Sequence, residues 1–141
     1  MKRLICALAL AVFVVGAADG QEKPKAKETP KVIAGHCHCG KVKYEVKGRI
    51  VGQSYCDCRA CQLASGGLKG AFVTVLESTF KITGEVKTFR SDSKVKCDAN
   101  GVWNFCPTCG TTVFWKPHRG DKVDLFAGTL DDTTLFTVKD K

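Results

Sequence analysis

Apolar and polar side chains alternate along much of the chain beyond residue 40, with the two-residue period typical of half-buried β-strands. Val42, Tyr44 and Val46 alternate with lysine and glutamate, which predicts one such strand. Further strands are predicted from alternating, β-branched or aromatic runs at 71–75, 80–82, 102–105, 112–115 and 123–126. No window of helical length has an apolar stripe, and residues 59–65 are predicted to form one short helical turn. The pattern therefore predicts an all-β domain of short antiparallel strands.

Residues that favour turns separate these runs. Asn100-Gly101 predicts a hairpin turn with a strand on each side, because this pair tolerates the positive φ angles of tight turns. Gly84, Pro117 and residues 119–121 mark further turns. A domain of about 110 residues can bury enough surface for one adequate core. Five aromatic residues at strand spacing are interpreted as members of that core: Phe72, Phe105, Phe114, Trp115 and Phe126.

The start of the chain has a different pattern. Lys2 and Arg3 precede an almost unbroken apolar run at 4–15, and small residues follow at 16–18. This order is typical of a secretory signal peptide, which we assign to residues 1–20. The run is short for a membrane span, so an N-terminal anchor is the alternative. The prediction is a secreted or periplasmic protein with no stable membrane insertion once the signal is removed.

Residues 21–31 are rich in lysine, glutamate and proline, and we interpret them as a flexible tether before a domain at 32–141. The formal net charge of the chain is +8. The leader contributes a net +1 and the tether a net +2, which leaves +5 for the domain. Basic residues there come singly, whereas nucleic-acid-binding proteins cluster them on one face. We therefore predict no nucleic-acid partner.

Cysteine is the residue type in which this chain departs most from an ordinary globular protein. There are nine cysteines, and eight of them follow the leader. Such a content in a small chain indicates either disulfides or metal. The eight form three clusters and one singleton: Cys37 and Cys39; Cys56, Cys58 and Cys61; Cys106 and Cys109; and Cys97.

The sequence Cys106-Pro-Thr-Cys109-Gly110 is typical of a zinc knuckle. Two thiolates at this spacing reach one ion at a Zn–S distance of about 2.3 Å, and a second pair must complete the tetrahedron. Cys37 and Cys39 are the natural candidates for that pair. His36 and His38 flank them, and either imidazole is an alternative ligand.

Cys56, Cys58 and Cys61 place three thiols within six residues. Structural zinc takes four protein ligands, whereas catalytic zinc keeps three and one open position. The spacing therefore suggests one closed site and one open site. Three thiolates make Zn²⁺ a weak Lewis acid for water, so a bound thiol suits the open site better. The metal would hold that thiol as the thiolate that attacks an electrophilic carbon.

Two alternatives stay open at this point. A secreted chain favours disulfides, although closely spaced cysteines favour metal ligation over bridges between distant thiols. A non-catalytic zinc-binding or thiol-sensing module is the alternative to an enzyme. Cys97 is a buried thiol, a fourth ligand to the second site or a redox partner.

Six stretches together resemble one family, the glutathione-dependent formaldehyde-activating enzymes, which also include centromere protein V. They follow the family order over about residues 33–132. The stretches are GHCHCGKVKYEV at 35–46, CDCRACQLASG at 56–66, AFVTV at 71–75, FKITG at 80–84, FCPTCGT at 105–111 and GTLDD at 128–132.

The resemblance implies a β-tent fold, in which antiparallel sheets are organised around zinc. It implies a structural zinc held by Cys37, Cys39, Cys106 and Cys109, and a second, exchangeable zinc held by Cys56, Cys58 and Cys61. It also implies a carbon–sulfur lyase-type activity, with glutathione as the small thiol that is joined to formaldehyde. Within that reading we assign the catalytic role to the three-cysteine site, and we expect Gln62, Ser65 and Gly66 to shape the substrate pocket.

Overall fold

The computed structural model describes residues 32–90 and 101–139 of the 141-residue chain. The α-helix α1 is Arg59–Ser65. The nine strands of these ranges are β1 Ile33–His36, β2 Lys43–Val46, β3 Gly52–Cys56, β4 Gly70–Leu76, β5 Phe80–Thr83, β6 Lys87–Arg90, β7 Gly101–Phe105, β8 Thr112–Pro117 and β9 Lys122–Phe126. Three short 3₁₀ turns complete the secondary structure described: Glu77–Thr79, Ala127–Thr129 and Thr133–Leu135.

The strands form two antiparallel sheets. The smaller sheet has the order β1-β2-β5, and the larger has the order β3-β4-β9-β8-β7-β6. Every strand pair in them is antiparallel. The predicted all-β class and β-tent fold are confirmed, as is the short helix at 59–65.

Three strands were not predicted from the sequence, and one predicted turn is wrong. β1, β3 and β6 are short segments without clear apolar alternation, and all four residues of β6 are exposed. Gly101 is the first residue of β7 rather than a turn residue, and Val102 pairs with Arg90; Asn100 lies outside the described residues. A side chain at Gly101 would collide with the indole of Trp115, which is why glycine is required there.

The main core lies between the two sheets. Alternate residues of a strand point to opposite faces, so Val73 and Leu125 of the large sheet pack into this core with Tyr44 of the small sheet. Phe72 and Phe126 lie on the other face of the large sheet, in a second cluster with Trp103. Only Phe114 of the five predicted core aromatics belongs to the main core. Phe105 and Trp115 are half-buried, which corrects their assignment.

A buried hydroxyl pair links the small sheet to the turn after β9. Thr129 Oγ1 donates to the carbonyl of Phe126 at 2.7 Å, so it accepts from Tyr44 Oη at 2.9 Å. Burial raises the pKa of Tyr44 to about 12, which keeps the phenol protonated as the donor.

We expect Thr129→Val to be more destabilising than Tyr44→Phe. Tyr44→Phe removes one hydrogen bond, which costs about 1 kcal/mol. Thr129→Val removes two and leaves the Tyr44 hydroxyl buried without an acceptor, at a cost of about 2–3 kcal/mol. Urea unfolding of both variants measures this order. Equal losses would contradict the assigned hydrogen-bond directions.

Several predictions fall on parts of the chain outside the described residues. They are the signal peptide at 1–20, the tether at 21–31 and every role considered for Cys97. Within residues 32–90 and 101–139, no helix has the length and apolar character needed to span a membrane.

Candidate metal centre and the adjoining cavity

Four cysteines from two segments that are far apart in the sequence meet in one cluster. The sulfur atoms of Cys37, Cys39, Cys106 and Cys109 all lie within 4.8 Å of one another. The Sγ atoms of Cys37 and Cys39 are 3.5 Å apart, and those of Cys39 and Cys106 are 3.7 Å apart. A tetrahedral zinc with Zn–S bonds of 2.3 Å requires sulfur separations of about 3.8 Å. The donor set therefore fits a closed four-thiolate site.

Two loops of matching geometry supply these ligands. In each loop the amide of a glycine, Gly40 or Gly110, donates to the carbonyl of the loop's first cysteine at 2.9 Å. Both glycines have φ of +73°, a left-handed conformation that side chains rarely adopt. The backbone amide of Val42 also donates to Cys37 Sγ at 3.3 Å. The single-residue spacing of Cys37 and Cys39 thus forms the same kind of knuckle as the conventional pair.

Thr111 joins the two knuckles. Its Oγ1 accepts from the backbone amide of His38 at 3.2 Å and lies 3.3 Å from Cys109 Sγ. The hydrogen bonds from Thr111 to this sulfur lower the pKa of Cys109 to about 5. The thiolate is the form that binds metal, so these hydrogen bonds favour the ligating state of Cys109.

The structure decides two alternatives at this cluster. His36 and His38 are exposed and do not belong to it; the His36 imidazole instead lies 3.4 Å from an Asp131 carboxylate oxygen. None of the seven cysteines in the described ranges is in a disulfide. A disulfide framework is therefore wrong for these seven residues.

The second cluster lies where β3 passes into α1. Cys56 is the last residue of β3, Cys58 is the N-cap residue of α1, and Cys61 lies in the first turn of that helix. Their sulfur atoms lie within 4.8 Å of one another, and no fourth metal-ligating side chain of the described residues joins the group. The strand-to-helix turn therefore produces a three-thiol site with one side open.

Two contacts fix the helix that carries this site. Gly66 ends α1 in the left-handed conformation at φ of +69°, and its amide donates to the Gln62 carbonyl at 2.9 Å. Thr112 Oγ1 donates to the Ala64 carbonyl at 2.9 Å, which ties α1 to the start of β8. The second cluster is thereby attached to the strand that follows the Cys106 knuckle.

Burial raises the pKa of the Cys61 thiol, and its neighbours Cys56 and Cys58 raise it further. Three crowded sulfurs repel one another as thiolates. A cation placed among them removes that repulsion and stabilises all three in the deprotonated form. The crowding is thus the electrostatic situation that a bound divalent metal relieves.

A cavity of about 250 Å³ adjoins the three-thiol cluster. It lies on the face of the large sheet that carries the second aromatic cluster. Cysteine sulfurs are at one part of its wall, aromatic rings at another, and a carboxylate completes the lining. The lining residues are Ser54, Cys56, Cys61, Phe72, Trp103, Trp115 and Asp124.

Comparison with known proteins gives the family. The family model of the glutathione-dependent formaldehyde-activating enzymes matches residues 32–140. The chain belongs to this family. The match includes all seven cysteines of the two clusters, and family membership supports a formaldehyde-activating function related to glutathione.

A solved structure supports the fold independently. The crystal structure of a Rhodobacter sphaeroides protein, a structural-genomics target, is similar with a TM-score of 0.55 and 20% sequence identity. The similarity covers 70% of this chain and 87% of that chain. At this identity the likeness shows the fold alone. No curated protein matches the chain.

The three residues expected to shape a substrate pocket lie beside this cavity rather than in its wall. Gln62 Nε2 donates to the Leu68 carbonyl at 3.2 Å, and Ser65 Oγ donates to the Gln62 carbonyl at 3.3 Å. Ser65 and Gly66 instead line a separate cavity of about 480 Å³ between α1 and the Cys106 knuckle. Their contacts close the end of the helix, and their substrate role stays a prediction.

Sequence reasoning missed several residues of the cavity wall. Asp124 is a polar position in an alternating strand, a pattern normally typical of a solvent-facing side chain. Trp103 lies on β7, which reaches the cysteines only through the strand order of the large sheet, whereas Ser54 lies on β3 itself, two residues before Cys56. The single signal in the sequence was the pair of tryptophans at 103 and 115, which face each other across β7 and β8.

Proposed function

We propose that the protein is a zinc-dependent carbon–sulfur lyase-type enzyme that joins formaldehyde to a small thiol such as glutathione. The observation that carries the proposal is the juxtaposition of the open three-thiol cluster and the cavity. Cys56 and Cys61 belong to both. A thiol in this cavity would therefore have its sulfur beside the open side of the cluster.

The two cysteine clusters support different roles. Cys37, Cys39, Cys106 and Cys109 would hold a closed structural zinc, and Cys56, Cys58 and Cys61 would hold a second zinc with one position open. Zinc at the open site would lower the pKa of a substrate thiol and so supply the nucleophilic thiolate. The structural ion would fix the knuckles without contacting substrate.

The reaction balances without a redox partner. The thiol sulfur forms a bond to the aldehyde carbon, and the carbonyl π pair moves to oxygen. The proton lost by the thiol is matched by the proton gained at that oxygen. The buried rings of Phe72 and Trp103 exclude water from part of the cavity wall, which favours attack by sulfur over hydration.

Native mass spectrometry of the purified chain tests the two-site proposal. We expect two zinc ions per chain for the natural sequence and one for Cys58→Ser, because serine is a poor zinc ligand and the closed cluster is untouched. Adding a small thiol should produce a ternary mass with the natural protein and not with the variant. The same stoichiometry in both proteins, or a single tight zinc in the natural one, would contradict the open site and favour a non-catalytic module.

A further inference from the structure

The cavity beside the three-thiol cluster contains one carboxylate with a fixed position. Asp124 is half-buried, and its Oδ1 accepts from the Thr74 hydroxyl at 2.6 Å. Asp124 pairs with Thr74 on one side and with Trp115 on the other. The hydrogen bond and the two strand pairings hold the carboxylate at the wall of the cavity, where it is partly removed from solvent, unlike most aspartates.

Aromatic rings surround the same space. Phe72, Trp103 and Trp115 line the cavity, and the ring centroids of Trp103 lie 6.2 Å from Trp115 and 6.5 Å from Phe72. Aromatic faces attract organic cations, with the largest effect for tryptophan, and a partly desolvated carboxylate attracts them as well. The Asp124 carboxylate and the aromatic rings therefore both favour an organic cation as the ligand group.

We propose that the thiol substrate carries an ammonium group, which Asp124 and the surrounding rings bind while the thiol lies at the cysteine cluster. Asp124 is then a specificity-determining residue. This inference rests on the proposed function, because it names the substrate class of the same site. Glutathione has such a group, the α-ammonium of its γ-glutamyl residue, and other amino thiols of similar length share it.

The strand register sets the length of that substrate. Cys56 pairs with Gly70 and Gly52 with Thr74, which in turn pairs with Asp124. Asp124 is therefore two strands across and four residues along from Cys56. At normal sheet spacings the Cα atoms of Cys56 and Asp124 are then about 10 Å apart across the strands and about 13 Å apart along them. The two side chains cover part of this distance. A thiol and an ammonium group separated by about six carbon atoms span the remainder, whereas a two-carbon amino thiol is too short.

Intrinsic fluorescence can test this directly, because Trp103 and Trp115 are the two tryptophans of the chain and both line the cavity. The zinc-loaded chain is titrated with aminohexanethiol and with mercaptohexanol, which differ in having an ammonium or a hydroxyl group at the far end. We expect the amine to bind about tenfold more tightly. Cysteamine, the two-carbon amino thiol, is too short to reach Asp124 and should gain little affinity from its ammonium group.

Three variants make the result specific to one carboxylate. Asp124→Asn should bring the two affinities within about twofold of each other, and Asp124→Glu should restore part of the preference. Asp121→Asn removes the same charge at an exposed position outside the cavity and should keep the full preference. Thermal unfolding of the zinc-loaded variants confirms that each remains folded.

Equal affinities of the two thiols for the natural protein would overturn the inference and leave the proposed function intact. An unchanged preference in folded Asp124→Asn would also overturn it. Failure of the proposed function has a different signature, since neither thiol would then perturb the thiolate-to-metal charge-transfer bands of the cobalt-substituted protein. Fluorescence titration with glutathione and with its des-amino analogue, glutaryl-cysteinylglycine, shows whether the γ-glutamyl ammonium is recognised. Equal affinities of these two ligands would overturn the extension to glutathione.

Discussion

Replacing Cys106 with serine is expected to abolish cooperative folding of the domain. Cys106 is fully buried, and its sulfur lies 3.7 Å from that of Cys39. Structural zinc binding supplies about 10–16 kcal/mol in small domains, which is comparable with the whole stability of an average domain. The variant should lose the near-ultraviolet circular dichroism of its packed aromatic residues and unfold without a sigmoidal urea transition.

Cys58→Ser is the matched control for that experiment. It makes the same chemical change in the other cluster, at a half-buried position where α1 begins. It should unfold cooperatively, with a midpoint close to that of the natural protein. A cooperative transition for Cys106→Ser at the natural midpoint would show that the four-thiol cluster does not contribute metal-dependent stability.

The two clusters differ because of what each one connects. The Cys37 knuckle follows β1 of the small sheet, and the Cys106 knuckle joins β7 to β8 of the large sheet. An ion held by both knuckles would cross-link the two sheets. Cys56, Cys58 and Cys61 lie within one continuous segment, so an ion there constrains only a strand end and one helical turn. Loss of the first ion should affect the whole fold, and loss of the second should affect a local site.

The sequence was informative where local pattern and burial agree. β4 is a β-branched and aromatic run with buried residues on both faces, and its strand could be predicted from residues 71–75 alone. β3 could not, since Gln53 and its neighbours are polar. The Gln53 side chain instead binds the last residues that the structure describes: it donates to the Leu135 carbonyl at 2.7 Å and accepts from the Thr137 amide at 2.8 Å. Such long-range pairing leaves no local signal.

The cysteine clusters could be predicted because ligand spacing is a local property, whereas the cavity wall could not. Cys56, Cys58 and Cys61 are close in sequence and must be close in space. Asp124 reaches the same cavity through the β3-β4-β9 strand order. This order depends on how the sheet assembles and not on the pattern of any one strand. The structure therefore adds the part of the cavity wall that would contact the substrate away from its sulfur atom.

Cys56→Ser is expected to reduce the rate at which the protein forms S-hydroxymethylglutathione from formaldehyde and glutathione by about a hundredfold or more. Cys56 lies in both the three-thiol cluster and the cavity wall, so its loss removes a metal ligand next to the substrate sulfur. The midpoint of urea unfolding should stay close to that of the natural protein, because the four-thiol cluster is intact. Initial rates over a range of glutathione concentrations measure the effect and separate kcat from KM.

Asp57→Asn provides the control for this loss of activity. Asp57 is exposed and lies between two cysteines of the cluster, but it is not one of the grouped ligands. Its substitution changes the local charge while leaving all three thiols in place, so kcat should remain within about twofold. Full activity in a folded Cys56→Ser protein would rule out the open cluster as the catalytic centre. An equal loss in both variants would indicate that local charge, rather than thiolate ligation, governs the rate.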